Sequence, residues 1–369
     1  MRVQYIFSLY RRIFMASRVT IQDIADAVGV SRNTVSKAIN NTGVLAESTR
    51  EKILLKAKEM GYKQFSFVDV TPLGSASEQS SPVQKGEIAL FTTSFLGASH
   101  FASLMLDKFQ QELSLAGYSL SMHRVLPEEL SQCRLPSSFN AERTDGILCV
   151  EMFHYEYSQM LCSLDLPVLF ADTPVLQFKE PLKADRLYMD NQTEIFRFVS
   201  EMASRGKKKI GYVGEIMHCQ SFFDRYLAYK NAMDFLGLPI DSNYCILENE
   251  KDSCGSYKDP YENFLISLLR SLDKLPDVFI CANDFIAMNL LHVFERLDIS
   301  VPDDVLLCGF DDSPESRLLT PRLTSIHIHT QIMGFTAAHL LLSRIKEPSL
   351  NYRTVYTETN IVYRESTNG

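Results

Sequence analysis

The chain has 369 residues, of which 46% are hydrophobic, and a formal net charge of -8. This length gives room for two or three domains and a sizeable core. The longest apolar runs, such as VFICA near residue 280, are the size of a strand and cannot span a bilayer, so no membrane segment is expected. Residues 1–64 carry 11 Lys and Arg against 5 Asp and Glu, net +6, while the remainder carries 26 against 40, net -14. A small basic end on an acidic body predicts that only this end contacts a polyanion.

The cysteines and histidines do not indicate a metal site. The eight cysteines include no CxxC pair and lie mostly in apolar segments, so neither a zinc site nor a disulfide framework is expected. The eight histidines include one close pair, His327 and His329, and no HExxH motif. We therefore expect no metal and no cofactor, and reduced core thiols of the kind found in cytoplasmic proteins.

Residues 1–17 form a leader ahead of the first predicted helix. In MRVQYIFSLYRRIF, arginines flank a short apolar stretch on both sides, and no small-residue cleavage site follows. This arrangement does not fit an export signal. Met15 opens MASRVTIQD, a natural start just before the helix, so translation from Met15 is an alternative to translation from Met1.

Residues 18–65 predict a small helical domain that begins with two short helices. Thr20 and Asp23 have the spacing of a capping box, which places the start of the first helix at Thr20. Gly29 can take a positive φ and turn the chain sharply, and Ser31 can then cap a second helix. The two helices therefore meet at a tight turn.

A third helix completes this domain. Ser48 and Glu51 have the spacing of a second capping box, so the helix is expected to begin at Ser48 and to stop at Gly61. Taken alone, the three helices also fit a small bundle with a solvated polar face.

The second helix carries polar residues on the face away from its apolar side chains. Arg32 and Ser36 are four residues apart, as are Asn33 and Lys37, so these side chains lie near one another. Arginine and lysine can donate to guanine, and asparagine can pair bidentately with adenine, from a helix that fits a major groove. Thr34 points differently and is expected at a phosphate. The helix pair thus predicts a helix-turn-helix that reads double-stranded DNA.

The segment VTIQDIADAVGVSRNTVSKAINNTGVLAESTREKILLKAKEMGY resembles the DNA-binding head of the LacI/GalR family of bacterial ligand-responsive transcription regulators. The shared order is TIxDIAxxxGVSxxTVSxxxN, then TREKI, then GY. The DNA-binding residues that this resemblance implies are Thr20, Ser31, Arg32, Asn33, Thr34, Ser36, Lys37 and Asn40. Of these, Arg32, Asn33 and Lys37 fall where family members read bases, while the serines and Thr34 fall where they mostly contact the backbone.

Residues 66–86 form a linker that departs from the family pattern. The family usually continues after Gly61-Tyr62 with Pro-Asn and a hinge helix whose leucine enters the minor groove. This chain instead reads KQFSFVDVTPLGSASEQSSPVQKG, and Pro72 does not fit inside such a helix. Two alternatives stay open: either Leu73 or Phe67 replaces the wedge, or the serine-rich segment is a flexible tether without DNA contact.

Residues 87–369 alternate short apolar strands with helical stretches. Strands are predicted at EIALF, YSLSMHRV, TDGILCV, PVLFAD, KKIGYVG, YCILEN, VFICAN and VLLCGF, and a last strand-like segment is TNIVYRES. The alternation predicts parallel sheets covered by helices, and its length exceeds one comfortable sheet. The predicted fold class is an all-α helix-turn-helix head plus an α/β core of two doubly wound parallel-sheet lobes.

Polar residues directly follow several of these strands. Such folds bind ligands at the carboxyl ends of their strands. Thr93 comes after IALF, Asp172 after PVLF, Asn283 and Asp284 after VFICA, and Asp311 and Asp312 after LLCGF. Each residue taken singly also fits a helix cap or a turn. Several of them on one rim favour a polyhydroxyl ligand.

The body also resembles the family core, which looks like a periplasmic sugar-binding protein. TDGIL, MDNQ, KKKIGYVG, SFFDRYLAYKNAM, CANDFIAMNLL, VPDDVLLCGFDDSPES and PRLTSI follow its landmarks. The effector-binding residues that this implies are Arg225, Asn283 and Asp311, with Asp172 and Thr93 as weaker matches. Tyr257, Phe95 and His100 are further candidates for the cleft wall, with core packing or a solvent-facing loop as the alternative.

These features together predict a cytoplasmic, homodimeric transcription regulator, a repressor whose heads read a pseudo-palindromic operator. Its operator affinity would respond to a small-molecule effector, a sugar or sugar derivative, bound by the effector-binding and dimerisation domain of residues 87–369. A transport-type binding protein is one alternative, but it would need an export signal and has no use for residues 19–61. An enzyme on a doubly wound fold is another, yet no Gly-rich phosphate loop or GxSxG elbow is present.

Overall fold

The computed structural model describes residues 20–39, 46–60, 85–94, 100–248 and 259–367. The chain divides into two compact units, Met1–Ser81 and Pro82–Gly369. In the described ranges, no helix is both long and apolar enough to cross a membrane.

The described residues of the first unit form three helices, α1 (Ile21–Val28), α2 (Arg32–Ile39) and α3 (Glu47–Glu59). Their common core consists of the buried side chains of Ile24, Ala25, Val35, Ala38, Ile53 and Ala57. This arrangement confirms the predicted helix-turn-helix followed by a third helix.

Local sequence sets the ends of α1 and α2 as predicted. The Asp23 carboxylate accepts from the Thr20 backbone N–H at 2.7 Å, and the Thr20 hydroxyl accepts from the Asp23 backbone N–H at 3.3 Å. Gly29 adopts φ 75° and ends α1. Glycine suits this position because residues with a side chain rarely adopt a positive φ. The Ser31 hydroxyl then accepts from the Thr34 backbone N–H at 3.1 Å and caps α2.

The predicted start of the third helix at a Ser48–Glu51 capping box is wrong. The Ala46 carbonyl accepts from the backbone N–H groups of Thr49, at 2.9 Å, and Arg50, at 3.0 Å. Ala46 is therefore the residue that precedes the first turn, and Ser48 lies inside that turn. The spacing of a serine and a glutamate alone does not tell which turn of the helix they occupy.

The described residues of the second unit form two six-stranded sheets, each the centre of one lobe. The strands are β1 (Gly86–Thr92), β2 (Tyr118–Arg124), β3 (Thr144–Val150), β4 (Val168–Ala171), β5 (Asp185–Met189), β6 (Ile210–Val213), β7 (Cys245–Ile246), β8 (Val278–Cys281), β9 (Leu306–Asp311), β10 (Thr324–Ile328), β11 (Thr354–Thr357) and β12 (Thr359–Val362). The first sheet has the order β11-β5-β4-β3-β1-β2 and the second the order β12-β10-β9-β8-β6-β7. All pairings are parallel except that of β10 with β12.

Eight α-helices connect the described strands of these sheets. They are α4 (His100–Ala116), α5 (Pro127–Ser131), α6 (Tyr155–Cys162), α7 (Thr193–Ser204), α8 (Gln220–Phe235), α9 (Asp259–Arg270), α10 (Asp284–Arg296) and α11 (Thr330–Lys346). The two-lobe α/β core with mostly parallel sheets confirms the predicted fold class.

The chain passes between the lobes three times. It leaves the first lobe after β5, returns after β10 through α11, which packs on β3, β4 and β5, and leaves again between β11 and β12. Both lobes are therefore built from residues far apart in sequence, and the polypeptide itself joins them at three points.

A buried acid fixes the return of the chain to the first lobe. Asp185, at the start of β5, accepts from Arg344 Nη2 at 2.8 Å and from Arg353 Nη2 at 2.7 Å. Burial raises the pKa of Asp185, but hydrogen bonds from the two arginines outweigh it and leave this pKa below its ordinary value. The ionised carboxylate thus ties α11 and the approach to β11 onto β5.

Candidate functional site

The second helix of the head presents the predicted base-reading residues on one exposed face. Arg32, Asn33 and Lys37 are exposed, whereas Val35 and Ala38 face the core of the head. In the described part of the chain, neither Arg32 nor Lys37 forms an ion pair. Both cations are therefore available to a polyanion, and base reading by these residues remains a prediction.

Three other residues of the predicted set, Thr20, Ser31 and Thr34, lie at the starts of α1 and α2. The Ser31 and Thr34 hydroxyls are 2.8 Å apart, and the Thr20 hydroxyl donates to Asp23 at 2.7 Å. Ser36 is half-buried within α2. Contact of these four residues with the DNA backbone remains a prediction.

Arg225 of α8 is the charged centre of the predicted cleft and is only 2% exposed. Its Nε donates to Asn191 at 2.9 Å and its Nη1 to the Ala282 carbonyl at 2.6 Å. The guanidinium lies 3.5 Å from the ring centroid of Phe310, and Nη1 is 3.7 Å from Asp311 Oδ1. Most of the binding capacity of Arg225 is thus used within the protein.

Two predicted cleft residues have the capping or turn roles that the sequence left open. Asn283 caps α10, because its side-chain oxygen accepts from the Ile286 backbone N–H at 2.9 Å. The Thr93 hydroxyl donates to the Glu151 carbonyl at 2.7 Å. Both residues still stand where strands of the two lobes end, so these bonds position them without excluding a ligand.

Asp172 connects the two lobes. Its Oδ1 accepts from the backbone N–H groups of Thr173, at 2.8 Å, and of Ser221 in the second lobe, at 3.2 Å. Burial raises the pKa of this carboxyl, and the hydrogen bonds from Thr173 and Ser221 oppose the rise. Asp172 therefore serves as a bridge between the lobes in this arrangement.

Further contacts join the same edges of the lobes, and the sequence did not single them out. The Gln220 backbone N–H donates to the Thr173 carbonyl at 2.9 Å, and the Gln220 side-chain oxygen accepts from the Leu176 N–H at 3.0 Å. The rings of Phe153 and His218 meet edge-on at 5.1 Å. Gln220 directly precedes the landmark SFFDRYLAYKNAM, which was the one signal that could have indicated it.

Asp311 and Asp284 lie at the carboxyl ends of two neighbouring strands of the second lobe: Asp311 ends β9, and Asp284 begins α10 after β8. Asp284 is fully buried and accepts from the Ser325 hydroxyl at 2.5 Å and the Ser313 backbone N–H at 2.7 Å. Burial raises the pKa of Asp311 to about 8; Arg225 opposes this rise, and the negative charges of Asp284 and Glu151 add to it. Asp311 therefore holds its proton more firmly than an ordinary carboxyl group.

Asp312, the next residue, points to different partners. It accepts from Arg317 at 2.7 Å and from His327 at 3.0 Å, and it also pairs with Arg364. Burial raises its pKa, but the hydrogen bonds from His327 and Arg364 outweigh this effect and lower it to about 2. Asp312 thus ties β9, β10 and the chain after β12 together.

Some predictions concern residues outside the described ranges. Asn40, Phe95, Tyr257, the leader 1–17 and the linker residues Phe67, Pro72 and Leu73 lie there, and the side chain of His100 is likewise undescribed. Within the residues that the structure does describe, no group of three or more His, Cys, Asp or Glu could hold a metal ion.

Comparison with known proteins matches both units. Residues 20–64 match the family of bacterial regulatory proteins of the lacI type, and residues 199–367 match a periplasmic binding protein-like domain. The HTH-type transcriptional repressor PurR of Haemophilus influenzae is 28% identical over 330 residues, which cover 88% of this chain and 91% of that protein. The repressor PurR of Photobacterium profundum is 24% identical over 349 residues, covering 94% and 98%.

Solved structures show the same fold over nearly the whole chain. A complex of the transcriptional regulator CelR with cellobiose has a TM-score of 0.66 at 22% identity and covers 95% of this chain and 100% of its own. The lac repressor dimer bound to operator and the anti-inducer ONPF has a TM-score of 0.65 at 19% identity, with coverage of 96% and 100%. The relatives are repressors rather than enzymes, and the matched head has no use in a transport protein. The chain therefore belongs to the LacI family of bacterial regulatory proteins and is a DNA-binding transcription regulator with an effector-binding domain.

Proposed function

We propose that the chain is a cytoplasmic repressor that binds a pseudo-palindromic operator as a homodimer. Its operator affinity changes when a small molecule occupies the cleft between its lobes. The exposed face formed by Arg32, Asn33 and Lys37 carries this proposal, because it combines two cations with a bidentate amide on one short helix. A two-fold dimer would present two such faces to two half-sites.

Charge distribution supports contact with DNA through the head alone. Residues 1–64 have a net charge of +6, and the remainder has a net charge of -14. Phosphates would attract the head and repel the body, so operator affinity should fall steeply as salt rises.

Apolar side chains on the second unit support a dimer. Leu318 is 83% exposed, and Leu104, Leu115, Met122 and Phe285 are also exposed. Exposed apolar side chains of this size are common at interfaces between proteins. The lac repressor structure, which has the same fold, is a dimer on its operator.

The effector site that we propose consists of Thr93, Asp172, Arg225, Asn283 and Asp311, with a sugar or sugar derivative as ligand. Thr93, Asp172 and Asn283 follow strands of the two lobes, Asp311 ends β9, and Nη1 of Arg225 in α8 lies 3.7 Å from Asp311 Oδ1. The CelR structure contains cellobiose. A ligand that contacts both lobes would favour one arrangement of the lobes over another and could thereby change operator affinity.

The domains that we propose are a leader at 1–17, a DNA-binding domain at 18–65, a linker at 66–86 and an effector-binding and dimerisation domain at 87–369. The division of the chain after Ser81 supports a boundary within the linker. The linker alternatives, an ordered wedge or a flexible tether, apply to residues outside the described ranges.

The proposal is tested by selecting operator sequences from random DNA with the full chain and then with Asn33→Ala. We expect the full chain to select a site with two-fold symmetry. We expect Asn33→Ala to lose its preference at one base pair of each half-site and to bind the operator more weakly by about 1–3 kcal/mol. Gln22→Ala, an exposed change on α1, is the matched control and should retain the preference. Unchanged base preference in Asn33→Ala would remove this residue from the base-reading set.

A further inference from the structure

A series of hydrogen bonds runs from β1 and β2 of the first lobe to an exposed serine at the surface. The Ser121 hydroxyl donates to Glu87 Oε1 at 2.7 Å and lies 3.2 Å from His123 Nε2. The other ring nitrogen of His123, Nδ1, lies 2.9 Å from the Ser138 hydroxyl. His123 is only 5% exposed, whereas Ser138 is exposed. The series therefore links a surface hydroxyl to a buried imidazole, a second hydroxyl and a carboxylate.

The directions of these hydrogen bonds fix which nitrogen of His123 carries the proton. Because the Ser121 hydrogen points to Glu87, the Ser121 oxygen can accept from Nε2–H of His123. A neutral imidazole has a proton on a single nitrogen, so Nδ1 accepts from the Ser138 hydroxyl. A hydroxyl that donates to a histidine, which a third group orients in turn, is the arrangement that activates a serine nucleophile.

The surroundings of His123 keep its ring uncharged. The centroid of this ring lies 5.4 Å from that of Phe91 and 5.5 Å from that of Phe139. Burial lowers the pKa of His123, and the negative charge of Glu87 opposes this effect without reversing it. A neutral histidine is the form that can take up the proton of a hydroxyl group.

The turn that carries Ser138 is anchored to the first lobe. The Phe139 N–H donates to the carbonyl of Pro136 at 3.0 Å, and Pro136 is buried. Ahead of the turn, the Tyr157 hydroxyl donates to the Arg134 carbonyl at 3.1 Å. These contacts hold the Ser138 hydroxyl beside His123, while its exposure leaves it open to a reagent.

We propose that Ser138 is an acyl-accepting serine whose hydroxyl is activated by His123. Ser138 Oγ bonds to the carbonyl carbon of an activated ester, and its proton passes to Nδ1 of His123. The bond from the carbonyl carbon to the leaving oxygen breaks, and the leaving group departs as an anion with the electron pair of that bond. Ser121 and Glu87 orient the ring and stabilise the imidazolium that forms. The site includes none of the predicted DNA-binding or effector-binding residues, so this proposal adds to the proposed function and does not rest on it.

The ester p-nitrophenyl acetate tests the proposal on the full chain at pH 7.5, with acetylated residues located and quantified by mass spectrometry of peptides. We expect Ser138 to be acetylated at least about tenfold faster than Ser137, the exposed serine next to it. Ser138→Ala should lose this acetylation, and the matched control Ser137→Ala should retain it. Equal rates at the two serines, or no acetyl group on Ser138, would overturn the proposal.

Further variants test the activation separately from the nucleophile. Ser121→Ala removes the acceptor of Nε2–H, so the ring proton can move to Nδ1, and we expect acetylation of Ser138 to slow about tenfold. Ser121→Thr keeps the hydroxyl and should retain the rate. His123→Asn removes the base and should slow the reaction at least as much as Ser121→Ala. The melting temperature reports whether each variant is folded, and Ser121→Ala provides the test if His123→Asn unfolds. Acetylation of Ser138 that is as fast in folded Ser121→Ala as in the natural chain would show that these hydrogen bonds only stabilise the lobe, and the proposal would be wrong.

Discussion

Two adjacent aspartates should respond in opposite directions to the same substitution. Asp311→Asn and Asp312→Asn each replace a carboxyl group by an amide of nearly the same shape, so packing changes little. Asp312 is paired with Arg317, Arg364 and His327, whereas among the described residues Arg225 is the cation that lies beside Asp311. We expect Asp312→Asn to lower the free energy of unfolding and Asp311→Asn to raise it.

The size of the loss at Asp312 follows from its pKa. A pKa of about 2, against an ordinary value of 3.8, corresponds to about 2 kcal/mol of stability at neutral pH. The Asp312 side chain is only 4% exposed, so solvent screens this interaction weakly. The expected loss of about 2 kcal/mol is a large fraction of a typical unfolding free energy.

The pH dependence of the two variants differs in sign. The stability contributed by Asp312 is present above about pH 5 and is lost as pH falls toward its folded-state pKa of about 2. The raised pKa of Asp311 has the reverse effect, because stability falls as pH rises from its ordinary pKa of 3.8 toward about 8. Asp311→Asn should therefore gain most over the natural chain near pH 8 and nothing near pH 3.

Urea unfolding of the two variants and the natural chain between pH 3 and pH 8 measures both effects. An Asp312→Asn variant that loses less than about 0.5 kcal/mol at pH 7 would refute the network that we describe, since a typical hydrogen bond alone contributes that much. An Asp311→Asn variant that is less stable than the natural chain at pH 8 would show that its pairing with Arg225 stabilises the fold.

Two further predictions concern the head and the contacts between the lobes. Gly29→Ala should weaken operator binding and destabilise the head by about 1 kcal/mol, because an L-residue is strained at φ 75° even though no neighbouring atom would contact the added Cβ. Gly237→Ala, at φ 65° in the second unit, is the control that should leave operator affinity unchanged. Equal effects of the two substitutions on DNA binding would contradict this reasoning. Gln220→Ala removes the acceptor of the Leu176 N–H, at a cost of about 1 kcal/mol, so hydrogen exchange of the Leu176 amide should become several-fold faster. Gln132→Ala, at an exposed position of the first lobe, is the control and should not change this exchange rate. An unchanged rate in Gln220→Ala would show that this bond does not hold the lobes together.

The head was predictable because short-range features decide it. The Thr20–Asp23 capping box, the glycine at position 29 and the serine cap at position 31 each act within three or four residues, and the structure confirms all of them. The start of α3 was misplaced by the same kind of signal, since a serine three residues before a glutamate also occurs inside a first turn. Local patterns therefore predicted all three helices, the start and end of α1 and the start of α2, and failed at the start of α3.

Strand β5 shows what the sequence could not indicate. It begins with two charged residues, Asp185 and Arg186, and thus lacks the apolar run by which the predicted strands were recognised; β10 (Thr324–Ile328) was missed as well. Asp185 is tolerated in the core because Arg344 and Arg353 bond to it from 159 and 168 residues away. No local pattern announces a partner at that distance, and β11, which pairs with β5, was missed with it.

The cleft was predicted in outline for a similar reason. The rule that ligands bind at strand ends located Thr93, Asp172, Asn283 and Asp311, because it depends only on where each apolar run stops. It did not show which residues of the two lobes face each other.

The contacts on the two sides of the cleft suggest how a ligand could act on the lobes. The Ser221 N–H donates to Asp172, and the Leu176 N–H donates to the side chain of Gln220, so these two hydrogen bonds hold the lobes together in this arrangement. A ligand can shift this balance only by as much as it prefers one arrangement over the other.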